Sequence, residues 1–145
     1  MRTKEFLNKL EHSQIVQAIR EAEAKTSGEI RVYIQRGKLK GDPLPAAQKK
    51  FDELDMPKTR DRNAVLIFVA PRTHHFAVVG DKGIHEKCGD DLWQRVVQQM
   101  QSHFRDRRFT DALVGAIEEI GAVLAAHFPG RAIDGNQLPD NVIEG

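Results

Sequence analysis

One cysteine, one tryptophan and one tyrosine stand in a chain of 145 residues. A single thiol, Cys88, cannot close an internal disulfide, so the fold does not depend on an oxidising compartment. No apolar run approaches the ~20 residues that a membrane-spanning helix needs. The amino-terminal stretch MRTKEFLNKLEHS is charged throughout and lacks the apolar core of a secretory leader. A formal net charge of +1 supplies no whole-molecule field toward nucleic acid or anionic lipid. The chain has no G-x-x-x-x-G-K-[ST] or G-x-G-x-x-G phosphate loop, and no aromatic-and-basic strand of the RNA-platform kind. The expectation is a cytoplasmic protein with no membrane insertion, no nucleic-acid partner and no organic cofactor.

What is present reads as an ordinary globule, 40% hydrophobic and 30% charged. A chain of this length buries roughly 68–70% of the surface its unfolded state exposes, enough for one self-sufficient domain. That domain is expected over residues 1-130. An extended or partly disordered tail, 131-145, rich in Gly, Pro, Asp and Asn, follows.

Phe6, Leu7 and Leu10 recur at helical spacing. Ser13 is the expected N-cap of a second helical segment, lined by Ile15, Ala18, Ile19 and Ala22 and ending near Lys25. In GEIRVYIQ, Ile30, Val32 and Ile34 alternate with Arg31, Tyr33 and Gln35, which predicts a strand. Pro45 suits the first turn of a short helix carrying Ala47 and Phe51 and reaching about Asp55. AVLIFVA, residues 64–70, is apolar throughout and predicts a strand covered on both faces. PRTHH turns the chain into FAVVG, an antiparallel hairpin partner. Asp90 caps a long helix with the stripe Leu92, Trp93, Val96, Val97, Met100 and Phe104. Thr110 caps a last one, with an apolar stripe from Leu113 to Leu124, which Phe128-Pro129-Gly130 stops. Gly115 and Gly121 inside that last helix each cost ~1 kcal/mol relative to Ala, which suggests close packing against the sheet. The fold class is α/β: a three-layer α/β/α sandwich with a small mixed sheet, a parallel crossover plus an antiparallel hairpin.

This topology brings polar groups to one edge. Both parallel strands begin there, and the hairpin partner ends there at Gly80-Asp81. Glu29, Asp61, Asn63, Asp81 and Glu86 can converge on that rim, joined by Asp90 and Asp91, among Thr59, Arg60 and Lys82. Carboxylates with Asn and backbone oxygens suit Ca²⁺ or Mg²⁺, and a metal with a free position binds phosphate. The alternative is structural: Glu29 pairs with Arg31, Arg60 or Arg62, and Asp81 accepts backbone bonds in a turn that needs Gly80 and Gly83. The opposite rim competes. It carries Arg36, Lys38, Lys40, Asp42, Arg72, His74 and His75 at the carboxyl ends of the parallel strands, where open α/β sheets bind ligands.

Taken together, SGEIRV, RNAVLIFVAP, FAVVGDKGIHEKCG, a tryptophan-bearing helix, FRDRRFTDAL and a glycine-containing helix resemble the TPM domain family over about residues 12–128. Its thylakoid-lumen members are described as acid phosphatases, and it has many bacterial members. The resemblance implies the three-layer fold, divalent-cation binding in some members and a phosphatase activity. Asn63 matches the Asn of the family's Asp-Asn-Gly-Val-Leu segment, with the Asp displaced here to Asp61 and Ala64 in place of Gly. Gly80 and Gly83 match the glycines after the hairpin, and Glu86 lies near the family's acid. The segment EFLNKLEHSQ offers no counterpart to the Asp found before the first helix in many members, and the chain resembles the short, soluble branch.

Two functions follow. One is metal-assisted phosphomonoester hydrolysis. Asp61, Asn63 and Asp81, with Glu29 and Glu86, would hold Ca²⁺ or Mg²⁺, and Arg60 or Lys82 would hold the phosphate. The other is a non-enzymatic interaction or scaffold module acting on a membrane-protein or envelope partner. Other signals are weaker. His85 and Cys88 are too few ligands for structural zinc. His74-His75 reads as a polar turn. Arg105, Arg107 and Arg108 form a basic cluster between two helices, an exposed turn that can also meet phosphate.

Overall fold

The computed structural model describes residues 2–130 and 142–144. Helices α1 (Thr3–Asn8) and α2 (His12–Glu23) lead into strand β1 (Glu29–Ile34). Helix α3 (Pro43–Glu53) crosses to β2 (Ala64–Ala70), which turns into β3 (His75–Gly80). Helices α4 (Lys82–Cys88), α5 (Asp91–Arg105) and α6 (Phe109–His127) follow, and β4 (Val142–Glu144) closes the described chain. The sheet is four-stranded in the order β3-β2-β1-β4. β1 runs parallel to β2 with Glu29 opposite Ala64, and β2 runs antiparallel to β3 with Val65 opposite Gly80. β4 lies parallel to β1 at the far edge. The rest of the tail, 131–141 and 145, lies outside the described residues.

The apolar run of β2 demands cover on both faces and receives it; every residue from Ala64 to Ala70 is buried. Alternation assigns Val65, Ile67 and Val69 to one face, where α2, α5 and α6 bring Ile15, Ile19, Val96, Met100, Leu113 and Ile117. Leu66 and Phe68 face the other layer, Phe51 of α3 and Met56 of a 3₁₀ turn, with the Tyr33 ring stacked on Phe68 at 5.6 Å. β1 alternates polar and apolar in sequence, yet all six of its residues are buried. The α3 layer covers its polar face. Arg31 therefore sits 8% exposed, donating to Leu54 O at 3.4 Å. Desolvation lowers its pKa, and the charge of Glu29 pushes it back up.

Several local expectations change. α2 begins at His12, so Ser13 is not its cap. Glu11 N, at the start of that helix, donates to Thr110 Oγ1 at 3.1 Å. Thr110, expected to cap α6, lies inside it and serves α2 from across the fold. α3 starts at Pro43 and stops at Glu53, at both ends earlier than the proline pattern suggested. Asp90 precedes α5 but makes no side-chain cap bond; its Oδ1 lies 3.5 Å from His85 Nδ1. Where β4 does not reach, Ile30 N donates to the buried Glu23 carboxylate at 2.8 Å, which stands in for a strand partner at the edge of β1. Gly121 packs against α2 and not against the sheet: a Cβ there would lie 2.7 Å from Ala22 Cβ, whereas one at Gly115 meets nothing within 4 Å.

These two glycines share a helix and so share the same propensity gain on substitution. Gly115→Ala is expected to raise unfolding stability by about 0.5–1 kcal/mol. Gly121→Ala should lower it by about 1–3 kcal/mol, because the methyl of Ala22 is fixed to backbone and cannot yield. Urea unfolding of both variants decides the point, and equal effects would refute the close approach.

Candidate functional site

Three segments meet at the amino-terminal edge of β1 and β2. Asp81 N donates to Ala64 O at 3.0 Å, carrying the hairpin ladder past the end of β3. The Asp81 side chain, 5% exposed, then caps α4: Oδ1 accepts from Lys82 N at 2.7 Å. Arg62 grips the same carboxylate with both prongs, Nε to Oδ2 at 2.7 Å and Nη2 to Oδ1 at 2.9 Å. That pairing, chiefly the hydrogen bond, raises the Arg62 pKa above its ordinary value. Arg62 itself sits in the left-handed region, φ 50°, and its carbonyl accepts from Gly83 N at 3.0 Å. A Cβ at Gly83 would lie 2.4 Å from Asp61 O, and one at Gly80 2.2 Å from the Trp93 ring. Both glycines are needed for close approach, since neither has positive φ.

Beside this grip runs a polar chain. Asn63, fully buried, donates Nδ2–H to Ser27 Oγ at 3.0 Å, and Ser27 Oγ donates to Asp61 Oδ2 at 3.2 Å. Asn63 N donates to Thr59 Oγ1 at 3.3 Å. Thr26, also fully buried, ties the end of α6 to this edge through Leu124 O and Phe128 O, and accepts from Gly28 N.

The structure thus brings Asp61 and Asn63 together through Ser27 and places Asp81 next to them in the hand of Arg62. Glu29 is buried on the face of β1 shared with Arg31 and Tyr33, under the α3 layer. Arg60, Lys82 and Glu86 are exposed, with Arg60 Nε 3.9 Å from Asp61 Oδ1. Among the described residues no three His, Cys, Asp or Glu side chains gather as a metal-ligand set. Asp81 presents its oxygens to a guanidinium and a backbone N–H. What the rim offers a cation is the half-exposed Asp61 carboxylate and Asn63 Oδ1, which is buried and accepts no hydrogen bond. Calcium gathers roughly 6–8 oxygens, so solvent or substrate would supply most of that shell.

Sequence reasoning passed over Ser27 and did not single out Arg62 as the partner of Asp81. The available signal was register. With Val65 opposite Gly80, the next positions put Ala64 beside Asp81 and Arg62 beside Gly83. On α4, Cys88 packs against the core, and burial pushes its thiol pKa up.

Asp81→Ala is expected to destabilise the fold by about 0.5–2 kcal/mol through the lost cap alone, with more from releasing Arg62. Asp81→Asn, which retains an acceptor for Lys82 N, should lie between that variant and wild type in urea unfolding. The Cys88 thiol stays protonated at neutral pH. Its alkylation by iodoacetamide should be slower than that of glutathione and accelerate only as pH rises beyond the ordinary thiol range. A rate at neutral pH equal to that of glutathione would contradict the burial effect.

The family model for the TPM domain matches residues 1–123. No curated protein matches the chain. Among solved structures, the BA42 protein from the psychrophilic bacterium Bizionia argentinensis is 38% identical, with a TM-score of 0.84 and 92% of each chain covered. The N-terminal domain of the cg2496 protein from Corynebacterium glutamicum is 15% identical, with a TM-score of 0.60 over 77% of this chain and 70% of that one, a likeness of fold alone. With the parallel crossover, the hairpin and the matched extent in agreement, this chain belongs to the TPM domain family.

Proposed function

We propose that this TPM domain is a non-enzymatic interaction module whose rim is a structural latch beneath a surface for a partner protein. The observation that carries this reading is the two-pronged Arg62–Asp81 pair. A general base or nucleophile must be free to exchange a proton or attack. Asp81 instead accepts from Arg62 and from Lys82 N. The Ser27 hydroxyl is engaged by Asn63 and Asp61, with no histidine in the chain of bonds. Above the latch stand exposed Lys82 and Glu86, one turn apart on α4, and Arg60 in the adjoining loop. Mixed charge of this kind on a rigid base suits selective contact with a protein surface.

One observation favours a second reading. The buried, unbonded Asn63 Oδ1 beside Asp61 suits a weak site for Ca²⁺ or Mg²⁺. Arg60 or Lys82 would lie over such a site to meet a phosphate, and hydrolysis of phosphomonoesters would then follow.

Turnover of p-nitrophenyl phosphate, measured with and without Ca²⁺ or Mg²⁺ for wild type and Asp61→Asn, separates the two. The interaction reading expects rates equal to the buffer blank for both proteins. Metal-dependent turnover that disappears in a folded Asp61→Asn protein would overturn it in favour of hydrolysis. Amide shifts at Ser27, Asp61 and Asn63 on adding Ca²⁺ would establish a cation site without catalysis.

A further inference from the structure

At the opposite edge of the sheet, where β1 and β2 end, the molecule holds a cavity of about 550 Å³. That volume falls within the ~300–1,000 Å³ of small-molecule sites. Its wall is aromatic. Phe76 and Phe104 lie 4.5 Å apart between ring centres, Phe104 and Phe109 5.8 Å, and Phe109 and Phe6 5.2 Å. Phe6 and Phe109 are buried, whereas Phe76 and Phe104 are only partly covered and present ring surface to the cavity.

Its mouth is cationic. Arg105, in the last turn of α5, lines it, is exposed and has no ion-pair partner among the described residues. Arg107 leans over the Phe109 ring at 5.6 Å and pairs with Glu5 at 3.4 Å. Glu5 is the cavity's acidic residue, and His74 completes the rim. Both Arg107 and His74 hold the left-handed backbone conformation, φ 60° and 56°. Such conformations in non-glycine residues cost roughly 1–2 kcal/mol each and concentrate at ligand clamps.

We propose that this cavity binds a small amphipathic anion, an acyl or aryl body bearing one carboxylate or phosphate. The apolar body lies on Phe76 and Phe104, and the anionic head meets Arg105. The argument is charge complementarity at a half-open apolar site. A neutral apolar ligand would cover a lone guanidinium without pairing it, and a bare anion would leave the ring surface wet. One ligand with both parts satisfies both demands. The site is independent of the Arg62–Asp81 latch at the other edge, and stands whether or not that rim turns out to be catalytic.

Octanoate, octanol and inorganic phosphate are the probes, titrated into the full chain while amide shifts are recorded. Octanoate should give saturable shifts confined to His74, Phe76, Gln101 and residues 104–109. Octanol should bind about tenfold or more weakly, the difference an ionic hydrogen bond makes. Inorganic phosphate should leave those amides unmoved. Arg105→Gln, an exposed substitution, should lower octanoate affinity by a similar factor while octanol binding stays the same. Equal binding of octanol and octanoate would overturn the anionic head; phosphate binding as tightly as octanoate would overturn the apolar body. No saturable shifts with any probe would overturn the site.

Discussion

β2 has seven consecutive buried residues, and the rest of the structure answers to that constraint. A strand buried on both faces needs a layer on each, and its neighbours must complete its hydrogen bonds. β1 and β3 do so on either side. The helices then divide unequally. α2, α5 and α6 form the larger core, and α3 with a 3₁₀ turn forms the smaller. Burial of Arg31 and Glu29 is a consequence of that second layer. β1 carries charges into a covered face, where desolvation of Arg31 outweighs the support it draws from the charge of Glu29.

The same constraint creates the latch. β2 begins where β3 ends, so the segments flanking them are forced together at one edge. Backbone approaches there closely enough that Gly80 and Gly83 have no room for a methyl group. An acid at the end of β3 is then both buried and at the start of a helix. Asp81 meets both conditions by capping α4 and pairing with Arg62. A charged group desolvated to this degree needs its partner. This ties the left-handed conformation of Arg62 to the packing of the hairpin.

Much of this was legible in residue order. The apolar run 64–70, the turn at Pro71 and the alternation at 30–34 determine β1, β2 and β3, though not β4, and the crossover through α3 makes β1 and β2 parallel. Convergence of Asp61, Asn63 and Asp81 on one edge follows from that topology. Two things did not follow. α4 is seven residues long with a glycine inside, too short for a period to show, and Gly80-Asp81-Lys82-Gly83 reads locally as a turn. Pairwise partners were also hidden. Arg31, Arg60 and Arg62 all lay near enough in sequence to serve the rim acids, and only the register of the hairpin selects Arg62 for Asp81.

The two edges of the sheet differ in how their polar groups are used, and this difference bears on where function lies. At the amino-terminal edge, buried donors and acceptors are matched to one another: Arg62 to Asp81, Asn63 to Ser27, Thr26 to the end of α6. Matching of this kind holds chain segments in place, and of these groups Asn63 Oδ1 is left as a buried acceptor without a bond. At the carboxyl-terminal edge the balance is reversed. Ring surface remains half-covered, and Arg105 forms no ion pair among the described residues. The sequence FRDRRF carried that signal, arginines bracketed by Phe104 and Phe109, but only the packing of α1, β3 and α5 turns it into a cavity. Open α/β sheets place ligands at the carboxyl ends of their parallel strands. Here the half-covered rings and Arg105 lie at that end, while at the other end Asp81 is occupied in holding the fold and Asp61 stays half-exposed.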